Sequence, residues 1–431
     1  MNELNVALVA VGGLVLLIGL VSDLFRRTWW TSEPLVALVC GILLGPAVFG
    51  LLHPDRWGIA QETLIEQAAR LTLAIGLMGV ALRLPKNYAF HHWRSLLVLL
   101  LPVMFLMWVC SGLLVYFILN LPFWEAMLAG AAITPTDPIV ASSIVTGVVA
   151  RENLPGRLRH ILSAESGWND GLGYPFVLLV ILMLQRAPTE AISHWFTRVL
   201  MWEVGAAILL GALLGYLAGR LLEWAEEKHT IEHVSFLGYT IALSLTVLGA
   251  TKLIGTDGIL AVFVAGLIFS NAIEGNEKAQ QKGDAIEGNE KAQQKNVQEA
   301  INRFFTLPIF ILLGLVIPWQ QWWALGWKGL ILVVVVLLLR RLPAILLLNR
   351  LIKPLKNTPD VLFMGWFGPI GVSALYYAGL SLHKTGVESV WVVCSLMICA
   401  SLIVHGLTST PFTKLYGRYF QNHQSNDEKQ Q

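Results

Sequence analysis

The stretch Gly130–Val145 reads GAAITPTDPIVASSIV. It is apolar on both flanks and holds one carboxylate, Asp137, between two prolines, Pro135 and Pro138. Proline lacks an N–H, and its ring disfavours helical geometry in the residue before it, so a helix through this run must unwind around Thr136 and Asp137. Carbonyls freed inside an apolar run have no water to turn to and must face a cavity or a ligand. Thr136 offers a hydroxyl and a carbonyl and Asp137 a carboxylate, the oxygen donors that hard cations take. A proline kink with a solvated Asp near a helix end is the plainer alternative, and a charge flanked by prolines in mid-run weighs against it.

The rest of the chain explains why that run is apolar. Of 431 residues, 55% are hydrophobic and only 13% charged, against about a quarter charged in soluble domains. Thirteen segments have the length and apolarity of membrane helices, near 4–24, 33–52, 61–82, 95–119, 123–148, 159–185, 198–221, 234–254, 257–273, 302–318, 325–349, 359–382 and 388–410. The fold expected is an all-α polytopic membrane protein occupying residues 1–420 in a lipid bilayer. Such long unbroken runs exclude a strand-based barrel. A net charge of +2 and no basic run interleaved with aromatics argue against a nucleic-acid partner. The four cysteines, Cys40, Cys110, Cys394 and Cys399, lie inside apolar runs without metal-ligand spacing and read as small buried hydrophobes.

Loops after odd-numbered segments collect Arg26, Arg27, Arg83, Lys86, Arg94, Arg151, Arg157, Arg159, Arg350, Lys353 and Lys356. The positive-inside rule then places the N-terminus outside and the C-terminus in the cytoplasm. Residues 274–300 form a polar cytoplasmic loop built around a tandem AIEGNEKAQQK repeat within 272–295, and 421–431 form a short polar tail expected to be disordered. Tryptophans at 29–30, 319–327 and 391 suit an interfacial belt. Asp257 opens its segment as a helix N-cap.

Ionisable groups at membrane depth are costly and mark function. A second cluster, Ser163–Gly171 (SAESGWNDG), places Glu165, Ser166, Asn169 and Asp170 within two helical turns. Ser166 and Asp170 are four apart and share a face able to present oxygens to an ion; Glu165 and Asn169 share the neighbouring face. A polar packing seam is the bland alternative, adequate for Asn169 alone. A buried Glu165 calls for a counter-charge, which Arg340 or Arg341 could supply. The two point about 100° apart on a helix, so one of them is expected to snorkel to the cytoplasmic side. Gly365–Gly371 (GWFGPIG) forms a second expected helix break, at Gly368 and Pro369. Two broken helices, one per half, are the pattern of inverted-repeat transporters.

On the stretches 134–147, 154–176, 257–266, 340–343 and 365–379 the chain resembles the monovalent cation:proton antiporter-1 family, closest to the branch containing the fungal-type sodium/proton antiporters. The resemblance implies thirteen spans, a homodimer with a dimerisation domain and a mobile core, and two crossing broken helices. It implies a plasma-membrane secondary antiporter, not an enzyme, without a cofactor, whose cargo is Na⁺ (or Li⁺ or K⁺) and H⁺. Asp170 matches the essential ion- and proton-binding aspartate, with Asp137, Ser166 and the backbone of Thr136 as further Na⁺ ligands. Asn169 matches the asparagine of electroneutral members, and Glu165 a glutamate paired with an arginine for which Arg341 is favoured over Arg340. Ile370 departs from the pattern, standing where many members carry an arginine, and the short tail points to a bacterial source and the inner membrane. Cation and proton would compete for Asp170. A cation channel or a transporter of another solute is the alternative. An intramembrane aspartyl protease is disfavoured because neither aspartate sits in a Tyr-Asp or Gly-x-Gly-Asp setting.

Overall fold

A computed structural model of the chain describes residues 2–28, 32–228, 236–273 and 304–430. The repeated loop and His229 and His233 lie outside the described residues, among which there is no strand. The helices are α1 (Asn2–Thr28), α2 (Glu33–Leu44) and α3 (Gln61–Arg83). They are followed by α4 (Trp93–Leu119), the two halves α5a (Phe123–Ala132) and α5b (Pro138–Val145), α6 (Gly156–Gln185) and α7 (Pro188–Ala225). Next come α8 (Phe236–Ile254), α9 (Gly258–Ala272) and α10 (Phe304–Leu315). Last are the halves α11a (Trp327–Leu339) and α11b (Leu342–Leu348), the halves α12a (Thr358–Trp366) and α12b (Val372–Thr385), and α13 (Glu388–Gln430).

Each of the thirteen expected segments coincides with a helix or a pair of half-helices. Among the described residues eight helical runs, with the two halves of α11 counted as one, are long and apolar enough to cross a membrane, or nine if α10 and the short helix Trp319–Leu325 beyond it, bent by 66°, make one span. α2 and α9 are apolar but short, so the count of thirteen is not fixed by length alone.

α6 is the hub. It touches both halves of α5, α12b, α9 and α3. The close approach to α9 is possible because a Cβ at Gly171 would lie 2.8 Å from the Leu260 Cα. A separate apolar cluster joins α3 to α7, α8 and α9 through Ala74, Met78, Ala207, Val247, Ala261 and Phe269. Along α7 the glycines Gly211 and Gly215 face the Ala261 and Ala265 backbone of α9. Small residues at this spacing let two helices pack backbone to backbone where lipid gives no hydrophobic drive. Exposed aliphatics such as Leu4, Leu8, Leu17 and Leu20 coat α1, as suits a helix with lipid on one side.

Three expectations need correction. α13 stays helical through Gln430 instead of giving way to a disordered tail, since Gln, Glu and Lys are good helix formers and no Gly or Pro follows Gly417 to stop it. Trp391 is buried at 5% exposure and so is no belt residue, although Trp323 and Trp327 are exposed. The eleventh segment is broken at Arg340–Arg341, and neither arginine snorkels: their exposures are 3% and 2%. Pro343 is the cause, because its missing N–H cannot serve the Leu339 carbonyl one turn back. That carbonyl takes the Cys110 thiol at 3.3 Å instead, and the interruption turns both side chains inward.

Candidate functional site

The prolines and glycines of α5 and α12 unwind the chain over 133–137 and 367–371, the regions of Pro135, Pro138, Gly368 and Pro369. The two unwound strands touch: the Asp137 N–H donates to the Pro369 carbonyl at 2.9 Å. Asp137 then caps both outgoing half-helices. Its Oδ1 accepts from the Ile139 and Val140 amides of α5b at 2.7 and 3.0 Å, and its Oδ2 accepts from the Val372 amide of α12b. A carboxylate suits two helix N-termini because each presents orphan N–H groups and the positive end of its dipole. Gly371 is required here, since a Cβ would run into Asp137 Oδ2.

The opposite ends of the breaks present carbonyls and the negative ends of two dipoles. Arg340 lies between them. Its Nη1 donates to the Ile133 carbonyl and, at 3.1 and 3.4 Å, to those of Thr134 and Pro135; its Nη2 donates to the Gly368 carbonyl. Arg341, one residue on, forms a two-point pair with Glu165 and donates from Nε to the Met364 carbonyl at 2.9 Å. Asn169 ties this pair to α5: its Nδ2 donates to Glu165 Oε1 at 3.2 Å and to Thr136 Oγ1 at 2.7 Å, while its Oδ1 accepts from the Thr136 amide at 3.1 Å. The Thr136 and Ser166 hydroxyls lie 3.2 Å apart. Each hydroxyl oxygen has two lone pairs, and Thr136 uses one for Asn169 Nδ2, so with Thr136 donating to Ser166 each oxygen keeps one for a further contact.

Asp170 is different. It is fully buried, within electrostatic reach of Asp137 and Glu165, yet neither of its carboxyl oxygens has a hydrogen-bond partner among the described residues. An ionised carboxylate in such a place is costly unless something neutralises it. A proton does so, and so does a cation. Every other acidic side chain at the crossing is committed to an arginine or to backbone amides.

The sequence matches the family of sodium/hydrogen exchangers, transmembrane, over residues 13–415. The chain belongs to the sodium/hydrogen exchanger family. The chain is 31% identical to a probable Na⁺/H⁺ antiporter of Schizosaccharomyces pombe over 93% of its own length and 55% of the relative's. It is 32% identical to the Na⁺/H⁺ antiporter of Saccharomyces cerevisiae over 94% and 43%. The chain thus spans about half the length of such fungal relatives, whereas it covers 90% of a second Schizosaccharomyces pombe Na⁺/H⁺ antiporter at 29% identity. Its fold is that of the sodium proton antiporter MjNhaP1 from Methanocaldococcus jannaschii, with a TM-score of 0.68, 18% identity and coverage of 96% of this chain and 98% of that one.

Several residues of the chain's core escape a sequence reading. Tyr377 of α12b donates to the Asp170 carbonyl and, at 3.3 Å, to that of Gly171. Pro175 is the visible signal for the second bond, because it leaves the Gly171 carbonyl without its helical partner. The Ile370 amide, freed by the α12 break, donates to Ser401 of α13 at 2.8 Å, and His405 lies 3.1 Å from the Trp366 carbonyl. Asp360, fully buried, accepts from Arg157, Tyr416 and the Lys356 amide at 2.5, 2.5 and 2.8 Å, tying the starts of α6 and α12a to α13. Asp257 does cap α9, accepting from Ile259 and Leu260 at 3.0 and 3.2 Å. Its second oxygen faces a small cavity lined by Arg70, Lys252, Tyr174 and Tyr376.

Proposed function

We propose that the chain is a secondary antiporter that exchanges Na⁺, or a similar monovalent cation, for H⁺ with no net charge moved. The observation that carries this reading is the fully buried Asp170 carboxyl with both oxygens unpartnered. A site that must be neutralised, and accepts either a proton or a cation but not both, couples the two fluxes when access alternates between sides. Asp170 is the exchanging group. Asp137, the Ser166 hydroxyl and Thr136 complete the cation's oxygen shell, with Asn169, Glu165, Arg341 and Arg340 as its scaffold. Family membership and the fungal relatives support the same assignment.

The cations and protons are cargo, and the reading calls for no cofactor. The Lys and Arg distribution supports an N-terminus outside and a C-terminus inside, the family match over 13–415 supports residues 1–420 as the membrane domain, and the reading takes the protein as a plasma-membrane homodimer.

The test is fluorescence dequenching in proteoliposomes with an imposed pH gradient, adding Na⁺, Li⁺ or K⁺ in turn. Collapse of the gradient by at least one cation is expected. Failure of all three across the pH range would remove proton coupling and leave a channel or another solute.

A further inference from the structure

One hydroxyl at the crossing has no place in that ligand set. Ser373 is the second residue of α12b, 0% exposed, and its Oγ has no hydrogen-bond partner among the described residues. Buried hydroxyls are nearly always paired, because desolvating one without a partner costs about 1–3 kcal/mol. Three unpartnered oxygens therefore stand together at the crossing: both carboxyl oxygens of Asp170 and the Ser373 hydroxyl.

Two contacts aim Ser373 at Asp170. Tyr377 lies four residues on, so it shares a helix face with Ser373, and its hydroxyl donates to the Asp170 carbonyl. Immediately before Ser373, the Val372 amide donates to Asp137. The Ser373 side chain adjoins the Asp170 carboxyl without closing hydrogen-bond geometry onto it. By contrast, the Thr136 and Ser166 hydroxyls already share one hydrogen bond.

We infer that Ser373 Oγ is a direct cation ligand from the second broken helix, facing the Asp170 carboxylate across the ion, and that it helps set which monovalent cation is taken. The chemistry fits. A serine oxygen is a hard neutral donor that adds coordination without adding charge, so one cation still balances one proton. When Asp170 is protonated, the same hydroxyl can accept its O–H, which gives both cargo states a partner. A ligand carried by α12b also makes binding depend on both broken helices, not on α5 and α6 alone.

This inference rests on the proposed exchange, and the experiment separates the two. Wild type, Ser373→Ala and Ser373→Thr are compared by dequenching against graded Na⁺, Li⁺ and K⁺, and by thermal melting in detergent with and without each cation. Ser373→Ala is expected to raise the half-saturating cation concentration about tenfold, with the maximal rate changed less, and to lose most of the cation-induced rise in melting temperature. Ser373→Thr keeps the oxygen and is expected to retain that rise while altering the ranking of the cations by size. Half-saturation by every cation within about twofold of wild type in Ser373→Ala would overturn the assignment, as would a salt-free melting loss accompanied by an unchanged cation-induced rise. If wild type fails to exchange but still melts higher with a cation, and Ser373→Ala removes that rise, the exchange reading falls and the ligand stands.

Discussion

Arg341 grips Glu165 at two points, Nη1 to Oε1 at 2.6 Å and Nη2 to Oε2 at 2.7 Å, with both side chains almost wholly out of water. A pair of this kind adds little net stability over a well-packed apolar substitute, but removing one partner strands the other's charge. Glu165→Gln and Arg341→Met should each cost about 3–5 kcal/mol, and the double variant less than their sum. Denaturation of the purified protein in detergent, taken round the double-mutant cycle, reads this directly. Single-variant losses below about 1 kcal/mol would show that the pair is not the scaffold described.

Asp170→Asn should abolish exchange and leave the fold intact. Among the described residues the carboxyl makes no hydrogen bond to lose, the amide can still donate to the Ser373 hydroxyl, and it removes the need for a neutralising ion, so salt-free melting at or above wild type is expected. Retained cation-driven dequenching in this variant would refute the mechanism.

Asn169→Asp keeps an acceptor for the Thr136 amide but loses the Nδ2 donor shared by Glu165 and Thr136, and it adds a negative charge. Exchange should survive and become sensitive to an imposed membrane potential. Rates that ignore the potential, in a variant that still transports, would mean that the amide has a structural role only.

Arg340→Gln should be among the most damaging substitutions in the protein. It removes the cation from four carbonyls at the ends of α5a and α12a, and buried acceptors left bare cost about 1–3 kcal/mol each. Arg340→Lys restores the charge but not the planar fork, so it should recover only part of the lost melting temperature. Full recovery by lysine would show that charge alone matters there.

Asp360→Ala takes the acceptor from Arg157, Tyr416 and the Lys356 amide. A loss of about 3 kcal/mol is expected, by the same reasoning as for other broken buried pairs. Half-saturation by the transported cation should stay near wild type, since Asp360 has no contact with the crossing; a large shift would tie it to binding.

The breaks in α5 and α12 were legible because proline acts on its own neighbourhood. Pro135, Pro138 and Pro369 remove N–H groups within one turn, and no distant contact can restore them. Pro343 carried the same message for α11, but the flanking aliphatics 330–339 read as an uninterrupted span, so the inward turn of both arginines was missed. The carboxylates at 137, 165 and 170 stood out because their chemistry is foreign to an apolar run. Ser373, Tyr377, Ser401 and Asp360 did not: hydroxyls are common in membrane helices, and Asp360 sits near a helix start where a carboxylate is ordinary. What distinguishes Tyr377, Ser401 and Asp360 is a partner roughly 30 to 200 residues away, and what distinguishes Ser373 is a buried hydroxyl without one among the described residues, which only packing reveals.

Asp137 holds the starts of α5b and α12b with one carboxylate, and its own amide is held by Pro369. Mechanically these two half-helices share a single hinge pin. Neither can tilt or slide without dragging the other, so any displacement of these half-helices moves the crossing as one piece. Any sliding surface then lies outside that pin, and the glycine-lined seam between α7 and α9 includes neither half-helix.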